Sequence, residues 1–246
     1  GVVNYHLTQN SGLSNNTILS LNEDSDNNLW LGLDNGIDCI NLQSPVKSFL
    51  DDEGYLGTVY SSIKFADKIY LGTNQGLFYK KSNSNERFKL INGTKGQVWS
   101  LFEYDNTLFC GHDLGTFIVN GDFAQLIFKG TGTWKFNVFP NRPNLILQGN
   151  YNGLSIIEKM GAGWVFKNKI ENFDISSRYF EIDNLNKKVY IGHEYKGIIE
   201  VTLSNDLSKS KTFRILKSPK KGKHISLAKY NGIIYFAGKQ GVYKLI

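Results

Sequence analysis

The sequence predicts an all-β protein, a β-propeller made of six repeats of a four-stranded antiparallel blade. Three observations support this prediction. A unit with two glycines occurs six times, and its successive second glycines are 40, 39, 38, 44 and 44 residues apart, a period typical of propeller arrays. Within each unit, apolar and polar residues alternate in short runs bounded by Gly, Asn and Asp, which indicates strands. No unit contains an apolar stretch with helical periodicity.

The six units align on a glycine near the end of an apolar run and on a second glycine three to five residues later. The pairs are Gly32 and Gly36, Gly72 and Gly76, Gly111 and Gly115, Gly149 and Gly153, Gly192 and Gly197, and Gly238 and Gly241. One such sheet cannot bury both of its faces alone. We therefore expect the sheets to stack radially against one another.

The first unit is the most regular and divides into four strands joined by turns. Its second turn, Asp34-Asn35-Gly36, ends in the glycine that supplies the positive φ such turns need. The predicted segments are strand A at 17–23, a hairpin turn at 24–28, strand B at 29–33, strand C at 37–41 and strand D near 46–50.

The chain as a whole is predicted to be one propeller domain, residues 1–246. The run at residues 2–7 alternates like a strand, and the sixth unit has strands A, B and C but no D. The first run is therefore expected to supply the missing outer strand and close a ring of six blades. The alternative is that the chain is an excerpt, and that a neighbouring segment completes a ring of seven or more blades.

Charge is distributed unevenly along the chain. The formal net charge is +6, and residues 207–246 carry ten basic residues and no acid. This region is either a patch for a polyanion or a solvated loop between the fifth and sixth blades. Apart from Phe213, its basic loop lacks aromatic residues to stack on bases, so we expect no nucleic acid to bind this domain. We find no membrane span and no N-terminal signal in the chain, so any contact with a membrane is expected through segments outside it.

Catalytic, metal and cofactor motifs are absent from the sequence, so this domain is predicted not to be an enzyme and to need no cofactor or metal. The acidic turn Glu23-Asp24-Ser25-Asp26 lacks the interior glycine and terminal glutamate of a calcium loop, and a solvated hairpin tip is favoured. Residues 25–30 also resemble the aspartate-box turn of sialidase-type propellers, which is structural. The two cysteines, Cys39 and Cys110, fall in different blades and are interpreted as unpaired, small buried hydrophobes.

The candidate ligand site lies where the B–C loops and the D–A loops of a propeller open on the same face. These loops are rich in amides, hydroxyls and aromatic rings, a mixture that suits a sugar, and a basic residue can add a carboxylate or sulfate contact. The predicted ligand-binding residues are Asn74, Gln97, His112, Trp134, Tyr151, Arg178, His193 and Tyr195.

Structural explanations compete with ligand binding at several of these positions. Asn74 also suits a tight turn, and Trp134 is equally consistent with packing. His112 and His193 occupy the same position in two units, which fits shared blade packing as well as ligand contact. Three other tryptophans, Trp30, Trp99 and Trp164, are interpreted as packing residues.

Two further classes of function remain open. His112 together with Glu194 or His193 would give a propeller lyase or glycan-processing enzyme an acid–base pair. A dimerisation or docking platform would instead show an exposed apolar patch on the outer strands.

The first unit resembles the regulator-propeller repeat of Bacteroidetes two-component sensor proteins. That repeat runs Gly-Leu-Ser-Asn-Asn, an apolar strand, an acidic turn, Leu-Trp-Leu/Ile-Gly and a second glycine. The matching residues are Gly12, Leu13, Ser14, Asn15, Asn16, Asp24, Leu29, Trp30, Gly32 and Gly36. Units two to six are degenerate, with Tyr70, Phe109, Leu147, Tyr190 and Phe236 near the Trp position.

The resemblance implies an extracytoplasmic, periplasmic sensor domain of an inner-membrane signal-transduction protein that regulates transcription. It implies a glycan or glycan-fragment ligand and a homodimer formed by the full-length protein. It also implies a membrane helix and a kinase or DNA-binding output domain beyond this chain. The family has no fixed ligand motif, so the eight candidate residues rest on the loop argument.

Overall fold

The computed structural model describes residues 3, 6–44, 54–84, 86–183, 188–217, 225–239 and 241–245. The chain divides into two compact units, Gly1–Gly57 and Thr58–Ile246. None of the described helical segments is long and apolar enough to cross a lipid bilayer. Three groups of predicted positions lie outside the described residues: strand D at 46–50, positions 2, 4 and 5 of the N-terminal run, and the basic positions 220, 221 and 223.

The first unit contains one antiparallel sheet. Its strands are β1 (Ile18–Glu23), β2 (Asn28–Leu33) and β3 (Ile37–Asn41), hydrogen-bonded in the order β1-β2-β3. A 3-10 turn at Gln9–Ser11 precedes them. Leu13, Leu31 and Leu33 form the buried core of this unit. Predicted strands A, B and C of the first repeat are thereby confirmed to within one residue.

The acidic turn between β1 and β2 is a closed hydrogen-bonded loop around the Asp24 carboxylate. The carboxylate accepts bonds from the backbone N–H of Asp26 (2.9 Å), from both N–H groups of Asn28 (2.9 and 3.0 Å), and from the indole of Trp30 (2.8 Å). These donors, the indole first, hold the pKa of Asp24 at about 2. The turn therefore uses its acid to fix its own backbone.

Trp30 is not a core residue, and the sequence interpretation is wrong at this position. Its side chain is 43% exposed, whereas the residue two before the first glycine is buried in each of the other five repeats. The cause is the polar end of the indole, because the bond from Trp30 Nε1 to the Asp24 carboxylate holds the ring at the edge of the hairpin.

The second unit contains five antiparallel sheets, each hydrogen-bonded in chain order. The strands of sheet 2 are β4 (Val59–Phe65), β5 (Lys68–Thr73), β6 (Leu77–Lys81) and β7 (Lys89–Leu90). Those of sheet 3 are β8 (Val98–Tyr104), β9 (Thr107–His112), β10 (Gly115–Asn120) and β11 (Phe123–Lys129). Those of sheet 4 are β12 (Thr133–Phe139), β13 (Arg142–Asn150), β14 (Gly153–Met160) and β15 (Gly163–Lys169). Those of sheet 5 are β16 (Tyr179–Asp183), β17 (Lys188–His193), β18 (Gly197–Leu203) and β19 (Ser210–Ile215). Those of sheet 6 are β20 (Ser226–Tyr230), β21 (Ile233–Gly238) and β22 (Gly241–Leu245).

Consecutive sheets of the second unit pack on one another through their first strands. β4 contacts β8, β8 contacts β12, β12 contacts β16 and β16 contacts β20. A buried apolar cluster lies between each neighbouring pair of sheets; between sheets 4 and 5, for example, it contains Leu147, Ile156, Phe180 and Ile191. This is the blade-on-blade packing that the repeat predicts.

The two glycines of each repeat occur for different physical reasons. The second glycine lies in a turn with positive φ, as in Gly153 (φ 111°), a conformation that L residues with a side chain avoid. In four repeats the first glycine lies against the next sheet, and these are Gly72, Gly111, Gly149 and Gly192. A Cβ on Gly149, for example, would come within 2.0 Å of the Ser177 carbonyl oxygen. The repeat therefore marks both a turn and a close approach of two sheets.

The cysteines are both free, as expected, but only one is buried. Cys110 on β9 is fully buried, and desolvation raises the pKa of its thiol. Cys39 on β3 is exposed. The interpretation as a small buried hydrophobe holds for Cys110 and is wrong for Cys39, because strand C of the first sheet directs that side chain outward.

Candidate functional site

A β-bulge occurs near the start of the first strand in sheets 1 to 4, and in sheets 2, 3 and 4 its extra residue is aromatic. On β4 the pairing passes from Val59 to Ser61, on β8 from Val98 to Ser100, and on β12 from Thr133 to Lys135. The residues left without a partner are Tyr60, Trp99 and Trp134. A bulge interrupts the alternation of the strand and re-aims the extra side chain, so these aromatic rings leave the pattern of the inter-sheet core.

The bulged residues and Tyr151 form a continuous set of ring contacts, called here the aromatic row (Tyr60, Trp99, Trp134 and Tyr151). Ring centroids are 4.9 Å apart for Tyr60 and Trp99, and 4.6 Å apart both for Trp99 and Trp134 and for Trp134 and Tyr151. The Trp99 indole donates to the Tyr151 hydroxyl at 2.6 Å. The row runs across sheets 2, 3 and 4 and is held by both stacking and hydrogen bonding.

Arg178 extends the row toward sheet 5. Its guanidinium carbon lies 4.8 Å from the Trp134 ring centroid and 5.2 Å from that of Tyr179. The side chain is exposed, and no hydrogen bond or ion pair joins it to another residue in the part of the chain that the structure describes. Arg178 is therefore held by cation–π contacts while its N–H donors stay free.

A cavity of about 290 Å³ opens beside this arginine and is called here the Arg178 cavity. It is lined by Trp134, Ser176, Arg178, Tyr179, Gly192, His193, Glu194 and Tyr195. The Trp134 indole donates to the Ser176 hydroxyl at 3.2 Å, which fixes one aromatic wall. Aromatic faces, a cation, a carboxylate, a hydroxyl and an imidazole thus meet in one small space.

His193 supplies a neutral hydrogen-bond donor to this cavity. Burial, and then the neighbouring Lys196, lower the pKa of its imidazole, and Glu194 opposes them. Its Nδ1 accepts the backbone N–H of Tyr195 at 3.2 Å. Because the neutral ring accepts at Nδ1, its hydrogen lies on Nε2, which becomes the donor.

Five of the eight predicted site residues come together. Trp134, Arg178, His193 and Tyr195 line the Arg178 cavity, and Tyr151 stacks on Trp134. Burial raises the pKa of the Tyr151 phenol, with a further rise from Asp113 and opposing effects from the Trp99 hydrogen bond and Arg178. Tyr151 is therefore a neutral hydroxyl at physiological pH.

The other three predicted residues lie outside the cavity. The Asn74 side-chain oxygen accepts the backbone N–H of Thr58 at 2.7 Å, as a turn residue would. His112 is fully buried, with Nε2 3.1 Å from the Thr94 carbonyl oxygen and Nδ1 accepting the Leu114 backbone N–H. This geometry corresponds to the blade-packing interpretation of His112. Gln97 is half-buried, and its backbone oxygen accepts the N–H of Asp113.

Several residues of the site were not among the predicted eight. Tyr60 and Tyr179 were missed, and Ser176 and Glu194 lie in the predicted loops but were not chosen. Trp99 was assigned to the core, yet it is half-buried within the aromatic row. The sequence did contain a signal for these rings, because Tyr60, Trp99 and Trp134 each occupy the second position of a strand A. Trp164, by contrast, is buried on outer strand β15, as predicted.

A metal centre is not evident at this site. The described residues contain no group of three or more His, Cys, Asp or Glu side chains that could hold a metal ion. The polar groups of the Arg178 cavity are suited to an organic ligand with hydroxyl and anionic groups.

Comparison with known proteins identifies the repeat. The sequence model of the two component regulator propeller family matches residues 12–35. Residues 12–35 are a two-component-regulator propeller repeat. This confirms the resemblance predicted from the first repeat, whose acidic turn and first glycine, Gly32, fall within the matched segment. No curated protein matches the chain.

Solved structures of similar fold include two from B. thetaiotaomicron. The extracellular domain of the hybrid two component system BT3049 is 18% identical with a TM-score of 0.62, over 95% of this chain and 33% of that one. That of BT4673 is 16% identical with a TM-score of 0.59, again over 95% and 33%. The present chain thus spans about a third of the length of these relatives. Virginiamycin B lyase from Staphylococcus aureus is 11% identical with a TM-score of 0.54, over 92% and 82%. These likenesses, together with the six antiparallel sheets, confirm the predicted propeller fold.

Proposed function

We propose that this chain is the ligand-sensing, extracytoplasmic β-propeller of a bacterial signal-transduction regulator, and that it detects glycan fragments. The observation that carries the proposal is Arg178, an exposed arginine without a protein partner among the described residues, held on stacked rings at the edge of a cavity. Free donors on a pre-positioned side chain reduce the entropic cost of binding a polar ligand.

The composition of the site favours a sugar. The exposed ring of Tyr195 offers apolar surface for a pyranose ring, and the His193 imidazole and Glu194 carboxylate offer a donor and an acceptor for its hydroxyls. A cavity of about 290 Å³ is at the small end of ligand pockets. The aromatic row extends beyond the cavity and provides further ring surface for a longer chain.

A sensory role is supported by the family match and by the relatives named above. Those relatives are extracellular domains of two-component systems, which supports a location on the outer side of the cytoplasmic membrane, in the periplasm. Dimerisation through the full-length protein, an output domain that controls transcription and attachment to a membrane outside this chain remain predictions from the resemblance.

Binding rather than catalysis is proposed for this domain. The pair of His112 and Glu194 would require His112 to reach a ligand, and His112 is fully buried with both ring nitrogens engaged. The likeness to a lyase is a likeness of fold. A sensing domain should leave a bound oligosaccharide chemically unchanged, which chromatography of the recovered ligand checks.

Isothermal titration with a panel of neutral and acidic oligosaccharides tests the proposal. We expect at least one oligosaccharide to bind, and we expect the Trp134→Ala/Arg178→Ala variant to lose that binding. The matched control is Phe123→Ala/Arg142→Ala, which removes one ring and one guanidinium outside the cavity and should bind normally. Absence of binding across the panel contradicts the proposed function, and unchanged binding by the first variant contradicts the site.

A further inference from the structure

We infer that the Arg178 cavity selects saccharides that carry a single carboxylate, the chemistry of a uronic acid, and binds that carboxylate on the guanidinium of Arg178. This inference rests on the proposed function and specifies the ligand class of the same site. It differs from a general affinity for glycans because it assigns one charged group of the ligand to one residue.

The first argument is the state of Arg178. Its guanidinium contacts the rings of Trp134 and Tyr179, and it has no carboxylate, carbonyl or hydroxyl partner among the described residues. A guanidinium presents a planar fork of donors that matches a carboxylate through two parallel hydrogen bonds. The ring contacts hold the guanidinium at the cavity before a ligand arrives, and a planar acid complements its fork of donors.

The second argument is the charge of the cavity. Its lining contains one cation, Arg178, and one acid, Glu194. His193 is neutral at physiological pH, because burial lowers the pKa of its ring. The nearby Lys135 is already paired with Glu181 at 2.7 Å. A ligand with several sulfates would find only one cation in the lining, whereas that one cation matches a single carboxylate.

The third argument is size. The cavity holds about 290 Å³, at the low end for ligand sites, which suits a ligand of one or two rings. With the carboxylate on Arg178, ring hydroxyls lie within the same small space as the Glu194 carboxylate and the Nε2 donor of His193. The acid is therefore recognised by charge and the remaining ring by hydrogen bonds.

The test uses disaccharide pairs that differ only at one C6 group, carboxylate against hydroxymethyl, such as glucuronosyl-glucose against cellobiose, together with the methyl ester of each acid. In isothermal titration we expect the acid to bind about 10- to 100-fold more tightly than its neutral partner or its ester, the range of a charge-assisted hydrogen-bond pair.

Two variants assign the effect to its residue. Arg178→Gln should lower the affinity for the acid to within about twofold of that for the neutral partner, so that the preference for the acid is lost. Arg142→Gln, which removes the same charge outside the cavity, should keep the preference, and this excludes a general electrostatic effect.

The outcomes separate the two proposals. Three results would overturn this inference while the proposed glycan sensor stands. They are equal affinities for the acid and its neutral partner, binding of the neutral members alone, and a preference for the acid that persists in Arg178→Gln. If no member of any pair bound, both the inference and the proposed function would be overturned.

Discussion

Arg178 and Trp134 depend on each other at the centre of the site. The guanidinium lies over the indole at 4.8 Å, and the same indole contacts Trp99 and Tyr151 on its other sides. Each aromatic pair contributes about 0.5–1.5 kcal/mol beyond its buried area, so Trp134 connects the aromatic row to the cavity.

Trp134→Ala should therefore affect both stability and binding. Because the ring is half-buried, we expect a loss of about 1–3 kcal/mol in the free energy of unfolding, and ligand affinity should fall at least about tenfold. Trp134→Phe keeps a ring and loses the bond to Ser176, so its cost should be about 0.5–1.5 kcal/mol. Chemical denaturation and titration measure both, and Tyr230→Ala, at an exposed ring on β20, is the control. A Trp134→Ala protein indistinguishable from that control would contradict the assigned role.

Asp24 makes the stability of the acidic turn in the first unit depend on pH. Its pKa is about 2 in the folded chain against an ordinary value of 3.8. A carboxyl group whose pKa is lower in the folded chain than in the unfolded chain stabilises the fold. This stabilisation is fully present above the pKa of the unfolded chain and is lost as the pH falls through the pKa of the folded chain. The acidic turn should therefore loosen as pH falls from about 4 to about 2.

The Trp30 indole N–H resonance should report this loosening, since that group donates to the carboxylate. We expect it to move between about pH 4 and 2, and we expect no such titration in Asp24→Asn. Asp26→Asn is the matched control, because the Asp26 side chain accepts none of the four bonds, and it should titrate like the parent. A wild-type resonance that stays constant over this interval would exclude the mechanism.

At the scale of the elements, the first glycine of the repeats in sheets 2 to 5 sets how closely two sheets approach. A Cβ on Gly149 would meet the Ser177 carbonyl oxygen at 2.0 Å and the Phe180 ring at 2.9 Å. Neither neighbour is the far end of a flexible side chain, and Ser177 directly precedes Arg178. A methyl group here should therefore displace the chain that carries the cavity.

Gly149→Ala is expected to cost about 1–3 kcal/mol through overpacking and to weaken ligand binding. Gly163→Ala is the matched control: it lies on outer strand β15, and its added Cβ would meet nothing within 4 Å. That control should change stability by less than about 0.5 kcal/mol. If thermal unfolding showed the same change in melting temperature for both variants, the close approach of two sheets would not be the reason for a glycine at position 149.

The strands were predictable from sequence because their signals are local. Alternation and turn residues gave β1, β2 and β3 nearly to the residue, and the second glycines occupy the expected turns. The aromatic row was not predictable in this way. A bulge is a relation between two paired strands, so counting along β8 alone places Trp99 in the core.

The site residues show the same division between local and nonlocal information. Arg178 was found because it lies in a D–A loop, and Trp134 because it closely follows one, since the repeat places these loops on one face. Tyr179 was missed because it begins a strand, and its contact with Arg178 depends on the fold of that loop. His112 and His193 match in sequence position, but one is fully buried and the other lines the cavity, a difference that arises from neighbouring sheets.

At the scale of the whole molecule, stability lies in the interfaces between sheets. Each neighbouring pair in the second unit shares a buried cluster, so each sheet depends on its neighbours, as in other repeat proteins. Our proposal that residues 1–246 form one domain predicts a single transition in calorimetry, with calorimetric and van't Hoff enthalpies in agreement. Two resolved transitions would show instead that the units Gly1–Gly57 and Thr58–Ile246 unfold independently.

The central claim, that a saccharide binds beside Trp134 and Arg178, is tested most directly by following the indole N–H resonances of the four tryptophans during titration with an acidic disaccharide. Trp134 lines the cavity and Trp99 contacts it, whereas Trp30 lies in the acidic turn and Trp164 on the outer strand β15. We predict that the Trp134 and Trp99 resonances shift with a common saturation while those of Trp30 and Trp164 stay fixed. Saturable binding that leaves Trp134 and Trp99 unmoved, or that shifts Trp30 or Trp164 instead, would contradict the account.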